Sequence, residues 1–231
     1  MHVKATATAA TAVLLLLATG CAGSGPEPGR ETGKSRDRAD TPAARERKLQ
    51  RAALAPGDLP GYQVSDARAP AATGRPRADR RQCQPLADAM GDRPGAGAVA
   101  TAARGIGSQK DLGLAVSASV STYSTTAART LMAELRAAVA ACGAGFNATL
   151  QGRSGHYADV RTAPYRTRGE DTVSWTTTGA TQGIRAPLHL VVVRQGATVV
   201  RFMALDIADR ATPRVPQEVA DKQLEKVSRH F

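Results

Sequence analysis

Aromatic residues are scarce in this chain of 231 residues: one Trp, four Tyr and three Phe. They are scattered, without the interleaving of aromatic and basic side chains that stacks bases, so nucleic acid is not an expected partner. Cysteine is scarcer still, with only Cys21, Cys83 and Cys142. No two of these form a Cys-x-x-Cys pair and none has a neighbouring His, which argues against a dithiol redox motif and against a metal centre. The signatures of catalysis are missing too. There is no Gly-x-Ser-x-Gly elbow, no His-Glu-x-x-His, no Ser-x-x-Lys, no Gly-x-x-x-x-Gly-Lys-Ser/Thr phosphate loop and no Gly-x-Gly-x-x-Gly. Nor is there an internal repeat. The expectation is a non-enzymatic protein with no catalytic residues, no metal and no cofactor.

The first twenty residues have the layout of an export signal. Lys4 supplies a positive start, residues 5–18 an apolar stretch centred on Val13-Leu14-Leu15-Leu16-Leu17, and Ala18-Thr19-Gly20 small residues ahead of Cys21. The apolar stretch is shorter than the roughly 20 residues that span a bilayer core. Leu17-Ala18-Thr19-Gly20-Cys21 resembles the lipobox of bacterial lipoproteins, with Ala18 where that motif usually has Leu. The resemblance implies that Cys21 is acylated and becomes the new N-terminus. Ordinary signal-peptidase cleavage is the other reading, and both cut before Cys21. Parity favours the lipid, because three cysteines in an exported chain leave one over. Acylating Cys21 leaves Cys83 and Cys142, a pair expected to be oxidised outside the cytoplasm.

Residues 22–48 are poor in large apolar side chains and rich in Gly, Pro, Ser, Thr and charge, so they cannot offset the entropy of ordering. The expected organisation is a lipoprotein signal peptide over residues 1–20, a lipidated cysteine with a disordered tether over 21–48, and one domain over 49–231. As a flexible coil the tether would reach roughly 30 Å. The net charge of +11 is carried mostly by arginine. Arg30, Lys34, Arg36, Arg38, Arg45, Arg47, Lys48 and Arg51 make one basic stretch, and Arg75, Arg77, Arg80 and Arg81 a second. Attraction to anionic lipid or wall polymer is one reading of them. A solvated, arginine-biased surface is the other, and it is preferred for the second stretch.

Within the domain, Leu54, Leu59 and Tyr62 sit among turn residues as anchors. Residues 84–90 read as a short helix with Pro85 in its first turn and Gly91 at its end, and residues 92–107 as loop. Leu112, Leu114, Val116, Ala118 and Val120 alternate as a strand. Residues 125–141 then change to helical period, with Leu131, Met132, Leu135, Ala138 and Val139 in one stripe that also takes in Cys142. Strands follow over 156–164, 172–178, 188–194 and 198–207, the last two joined by Gln195-Gly196 as a hairpin and apolar on both faces. Residues 216–231 close the chain as an amphipathic helix with Ala220, Leu224, Val227 and Phe231 inward. The predicted fold is α+β: an antiparallel sheet of about five strands against two or three helices, with one disulfide.

The remaining polar candidates each have a bland reading that outweighs the chemical one. His156, His189 and His230 are isolated in sequence, and the first two are read as hydrogen-bonded structural histidines before general bases. Glu170-Asp171 follows Gly169 and reads as a turn, not a paired acid and base. Trp175 alternates with Val173 and Thr177 and reads as a core anchor. Asn147-Ala148-Thr149 fits a glycosylation sequon but is discounted because the lipobox implies a bacterium.

The opening Leu54-Ala-Pro-Gly-Asp-Leu-Pro-Gly-Tyr62, the Cys83-Gln-Pro-Leu86 segment, and Val120-Ser-Thr-Tyr123 running into Thr126-Ala-Ala-Arg-Thr-Leu131 carry a family resemblance. From about residue 54 to the end, the chain resembles actinobacterial lipoproteins with a PknH-like extracellular sensor domain. That resemblance implies an antiparallel sheet on helices, disulfides between helices and a groove for an unknown ligand. This chain differs in having one candidate disulfide and no kinase. The implied function is a membrane-anchored, extracytoplasmic sensor or ligand-binding module, its partners the membrane and a small envelope-derived or lipid ligand. A carrier or chaperone for lipids or other hydrophobic molecules is the alternative.

Overall fold

The computed structural model describes residues 41–67, 75–91, 95–206 and 213–231. The signal segment, Cys21 and most of the expected tether lie outside them. The first helix, α1 (Pro42–Ala52), opens on Thr41, whose hydroxyl accepts from the Ala44 N–H at 3.2 Å. Pro42 occupies the first turn, where a missing N–H removes no helix bond. The helix starts ahead of residue 49, yet Leu49 is its first buried side chain.

In chain order there follow β1 (Tyr62–Asp66), β2 (Arg77–Ala78), a 3-10 turn (Arg81–Cys83), α2 (Gln84–Met90), β3 (Ala100–Ser108) and β4 (Leu114–Thr122). The long helix α3 (Thr125–Ala141) precedes β5 (Phe146–Leu150), β6 (Arg153–Thr162), β7 (Asp171–Thr181), β8 (Ile184–Gln195), β9 (Thr198–Asp206) and α4 (Gln217–His230). All nine strands pair antiparallel in one sheet, ordered β1-β3-β4-β9-β8-β7-β6-β5-β2. The α+β class stands, with nine strands in place of about five and four helices among the described residues in place of two or three.

The unanticipated strands are β1, β2, β3 and β5. Most instructive is β3, which falls in the stretch read as loop. Its sequence, Ala-Thr-Ala-Ala-Arg-Gly-Ile-Gly-Ser, has little intrinsic strand preference. It is a strand because β1 and β4 bond it from both sides, with Ile106 opposite both Val64 and Val116. The β4 pattern is offset from expectation as well: Val116, Ala118 and Val120 are buried, whereas Leu112 lies in the preceding turn and is 73% exposed. Phe231, expected inward, is 47% exposed under the Lys48 ammonium, which stands 4.2 Å from the ring centroid.

Alternate residues of β8 feed two cores: Val191 and Val193 face one, Leu190 and Val192 the other. Helices α1 and α4 seal the first core, and α2 and α3 the second. This double cover explains why β8 and β9 are apolar on each face. The outer strands differ, since β5, β6 and β7 give residues to the second core and none to the first.

Buried polar groups stitch the first face together. Gln223 of α4 accepts from the Leu54 N–H at 3.0 Å and donates to the Ala52 carbonyl at 2.6 Å. Arg104 of β3 donates to the Leu54 carbonyl at 2.7 Å and to Gln50 at 2.7 Å. The second face has a covalent tie, the Cys83–Cys142 disulfide, with a Cα–Cα distance of 6.0 Å.

Candidate functional site

A seven-residue helix such as α2 cannot hold itself in water, because nucleation leaves too few bonds to recover its cost. Two tethers fix it. Cys83 ties its start to Cys142 at the end of α3. At its other end Arg201 of β9 donates to the carbonyls of Ala89 (2.9 Å) and Gly91 (2.7 Å), which a helix end otherwise leaves unbonded. Helix α3 is defined by Ser124, whose hydroxyl accepts from the Ala127 N–H at 3.1 Å.

Between these helices and the sheet lies a cavity of about 40 Å³. Ser119 and Ser121 of β4, Tyr123 just after it and Arg201 supply its polar floor; Ala89, Leu131, Leu135 and Val199 are among its apolar walls. Burial raises the Tyr123 phenol above its ordinary pKa, against the opposing charges of Arg201 and Arg75. Its hydroxyl passes so close to Gly95 that a β-carbon there would stand 2.8 Å away, so a larger residue would have to displace the Tyr123 side chain. The cavity opens past Pro85, Asp88, Gly95 and Leu131 into a groove of about 670 Å³ between α2 and α3. Arg81 and Gln84 stand on one bank, Thr126, Thr130 and Glu134 on the other.

The inner cavity has room for water and not for an acyl chain. The groove has the size of small-molecule sites, roughly 300–1,000 Å³. It offers hydroxyls, an amide and charges of both signs, suited to holding a small polar ligand against an apolar wall.

Of the residues singled out in sequence, Cys83 meets Cys142 and His156 meets Asn147. His189 is 1% exposed and accepts from the Val215 N–H through Nδ1 at 3.0 Å. That bond puts its proton on Nε2, which donates to Ser174 at 3.0 Å. Burial, and secondarily the Arg214 charge, push its pKa down to about 4. It is a neutral structural histidine. His156 is exposed on β6 and bonds Asn147 at 3.0 Å. His230 ends α4.

Glu170 accepts from Arg194 at 2.6 Å and from the Gly196 N–H at 3.0 Å, bracing the β8–β9 turn, while Asp171 pairs with Arg136. They serve different partners and form no acid–base pair. Trp175 is fully buried in the second core. None of these residues lines the groove. The inner cavity's Arg201 went unnoticed in sequence, although a lone charge within the apolar run of β9 was a usable cue, and Tyr123 figured only in the family resemblance. Among the described residues no helix is long and apolar enough to cross a membrane, and no three His, Cys, Asp or Glu side chains cluster as metal ligands do.

No protein-family model matches the chain, and no curated protein matches its sequence. Among solved structures, an uncharacterized protein from Mycobacterium smegmatis (an Rv0999 ortholog) matches with 15% identity and a TM-score of 0.38, over 74% of this chain and 89% of its own. The extracellular domain of PknH from Mycobacterium tuberculosis matches with 14% identity and a TM-score of 0.50, over 80% of this chain and 95% of its own. At that identity the likeness is one of fold alone, so what this chain has in common with the PknH extracellular domain is a distant, PknH-like architecture.

Proposed function

We propose that the chain is a non-enzymatic sensor or ligand-binding module of the cell envelope, held on the outer face of the membrane by a lipid on Cys21. Residues 1–20 are its signal peptide and 21–48 its acylated cysteine and tether, the tether ending in the exposed first turns of α1. Residues 49–231 are the sensor-like domain. A small envelope-derived ligand enters the groove between α2 and α3. The groove carries this reading: its banks are pinned by a disulfide and by Arg201, so little ordering is left for binding to pay for. A fold resembling an extracellular domain supports it, as does a disulfide, which persists in oxidising compartments. The narrowness of the inner cavity favours a sensor over a lipid carrier.

Native mass spectrometry of protein purified from its own envelope tests the reading. A small non-covalent adduct, lost in an Ala127→Trp variant that fills the groove, is expected. A bound phospholipid would favour the carrier, and no adduct under any extraction would count against a groove ligand. Mass analysis of the N-terminal peptide should find acylated Cys21; a free thiol there removes the anchor.

A further inference from the structure

On the side of the sheet sealed by α1 and α4, the outer strands β6, β5 and β2 carry no helix among the described residues. Their residues on that face are polar, which is why no helix is drawn over them: Arg77 and Asp79, Asn147 and Thr149, Ser154 and His156. All of these side chains but Arg77 are tied to one another by hydrogen bonds. Asn147 donates from its backbone N–H and its amide to the two oxygens of Asp79, at 3.1 and 2.8 Å. Its amide oxygen is therefore the acceptor for His156, so the imidazole proton sits on Nδ1. That leaves the Nε2 lone pair of an exposed histidine without a partner among the described residues. Thr149 and Ser154 share a hydrogen bond of 2.8 Å and keep further capacity for a ligand.

Two arginines flank this row. Arg185 of β8 is in register with Ala180, which is opposite His156, and Arg77 is in register with Thr149 and then Ser154. Both are exposed, and neither makes an ion pair or hydrogen bond among the described residues. The only acid in the row, Asp79, is occupied by Asn147, which holds its pKa below the ordinary value. The strands from β8 to β2 spread these groups over about 19 Å.

We propose that this bare sheet face docks an anionic, hydroxyl-rich polymer, a phosphate-bearing glycan of the envelope. A flat, open face suits a linear chain, since a small molecule needs a concave site. The arginines hold phosphates, while the His156 lone pair and the Thr149 and Ser154 hydroxyls take polyol hydroxyls. The face carries no aromatic ring on which a neutral sugar could stack, so charge must supply the affinity. The envelope as the source of polymer rests on the extracytoplasmic reading above; the binding chemistry does not.

The test is surface plasmon resonance of the full chain over immobilised poly(glycerol phosphate), with dextran as the neutral polymer. Binding to the phosphate polymer alone is expected. Arg77→Gln with Arg185→Gln should weaken it at least tenfold and His156→Ala about threefold, while Arg47→Gln with Arg51→Gln on α1 should leave it within twofold. Equal losses from both arginine pairs would reduce the binding to net charge and overturn the proposal. Absence of wild-type binding would overturn it too, as would tighter, Arg77- and Arg185-dependent binding to phosphatidylglycerol vesicles. Ala127→Trp should leave polymer binding intact, which separates this outcome from failure of the groove reading.

Discussion

The two faces of the sheet are secured by different chemistry. Under α2 and α3 the tie is covalent, and the short helix it holds forms one bank of the groove. Under α1 and α4 it is a set of buried hydrogen bonds: Gln223 reaching the end of α1, Arg104 reaching Leu54, and His189 holding Val215 just ahead of α4. A disulfide acts chiefly by restricting the unfolded chain and is indifferent to mild acid. Buried polar ties are indifferent to reductant but fail when a partner is removed or takes up a proton. The face carrying the candidate site should therefore respond to redox conditions and the opposite face to pH.

Removing the staple should have the largest effect. Closing a loop of 59 residues' separation contributes about 4 kcal/mol on the chain-entropy model. A Cys83→Ala, Cys142→Ala variant should lose most of that in urea unfolding. Amide exchange should rise first in α2 and the end of α3; a loss spread evenly over both faces would break the comparison.

Acid comes next. His189 titrates at about 4 in the fold and near its ordinary 6.5 in the unfolded chain, which therefore takes up the proton first. Stability is full above pH 6.5 and falls as pH drops through 6.5 towards 4, by about 3 kcal/mol in all. Urea titrations between pH 7 and pH 4 should show this slope in the wild type and lose it in His189→Gln. An unchanged slope would place the titration elsewhere.

Gln223→Ala should destabilise by about 2 kcal/mol, because it strands the Leu54 N–H and the Ala52 carbonyl in the core. Thermal unfolding with and without reductant would sharpen the contrast, since this loss should be the same in both. The smallest effect is expected at the Arg229–Glu225 pair on the exposed side of α4, where Arg229→Ala should change stability by less than about 0.5 kcal/mol. A larger change would mean that solvent-facing charge contributes to this face alongside its buried bonds.

The legible parts of the fold were those whose side chains do the work. Helix α3 was readable to its bounds, because Met132, Leu135, Ala138 and Val139 mark one stripe between Ser124 and Cys142. Strands β8 and β9 announced themselves through valines on both faces. The edge and small-residue strands were not readable: β1 and β2 pair only with strands far along the chain, and β3 and β5 carry too few large apolar side chains to announce their hairpins with β4 and β6. The groove was illegible for a related reason. Its walls come from α2, α3 and residues 95–97, and the cavity behind it draws on β4, β8 and β9, so no local motif encodes either.

By itself, the sequence determined the α+β class, the positions of the apolar strands and long helices, and the pairing of Cys83 with Cys142, which followed from the expectation that Cys21 carries a lipid. Those follow from periodicity and cysteine parity, which are properties of a linear pattern. Only the tertiary structure decided that nine strands join one sheet and that its outer half is bare on one side. It alone revealed that Arg201 caps α2 and that Asn147 sets the tautomer of His156. These depend on groups that strand pairing brings to hydrogen-bond distance, and strand register, not sequence spacing, sets that distance.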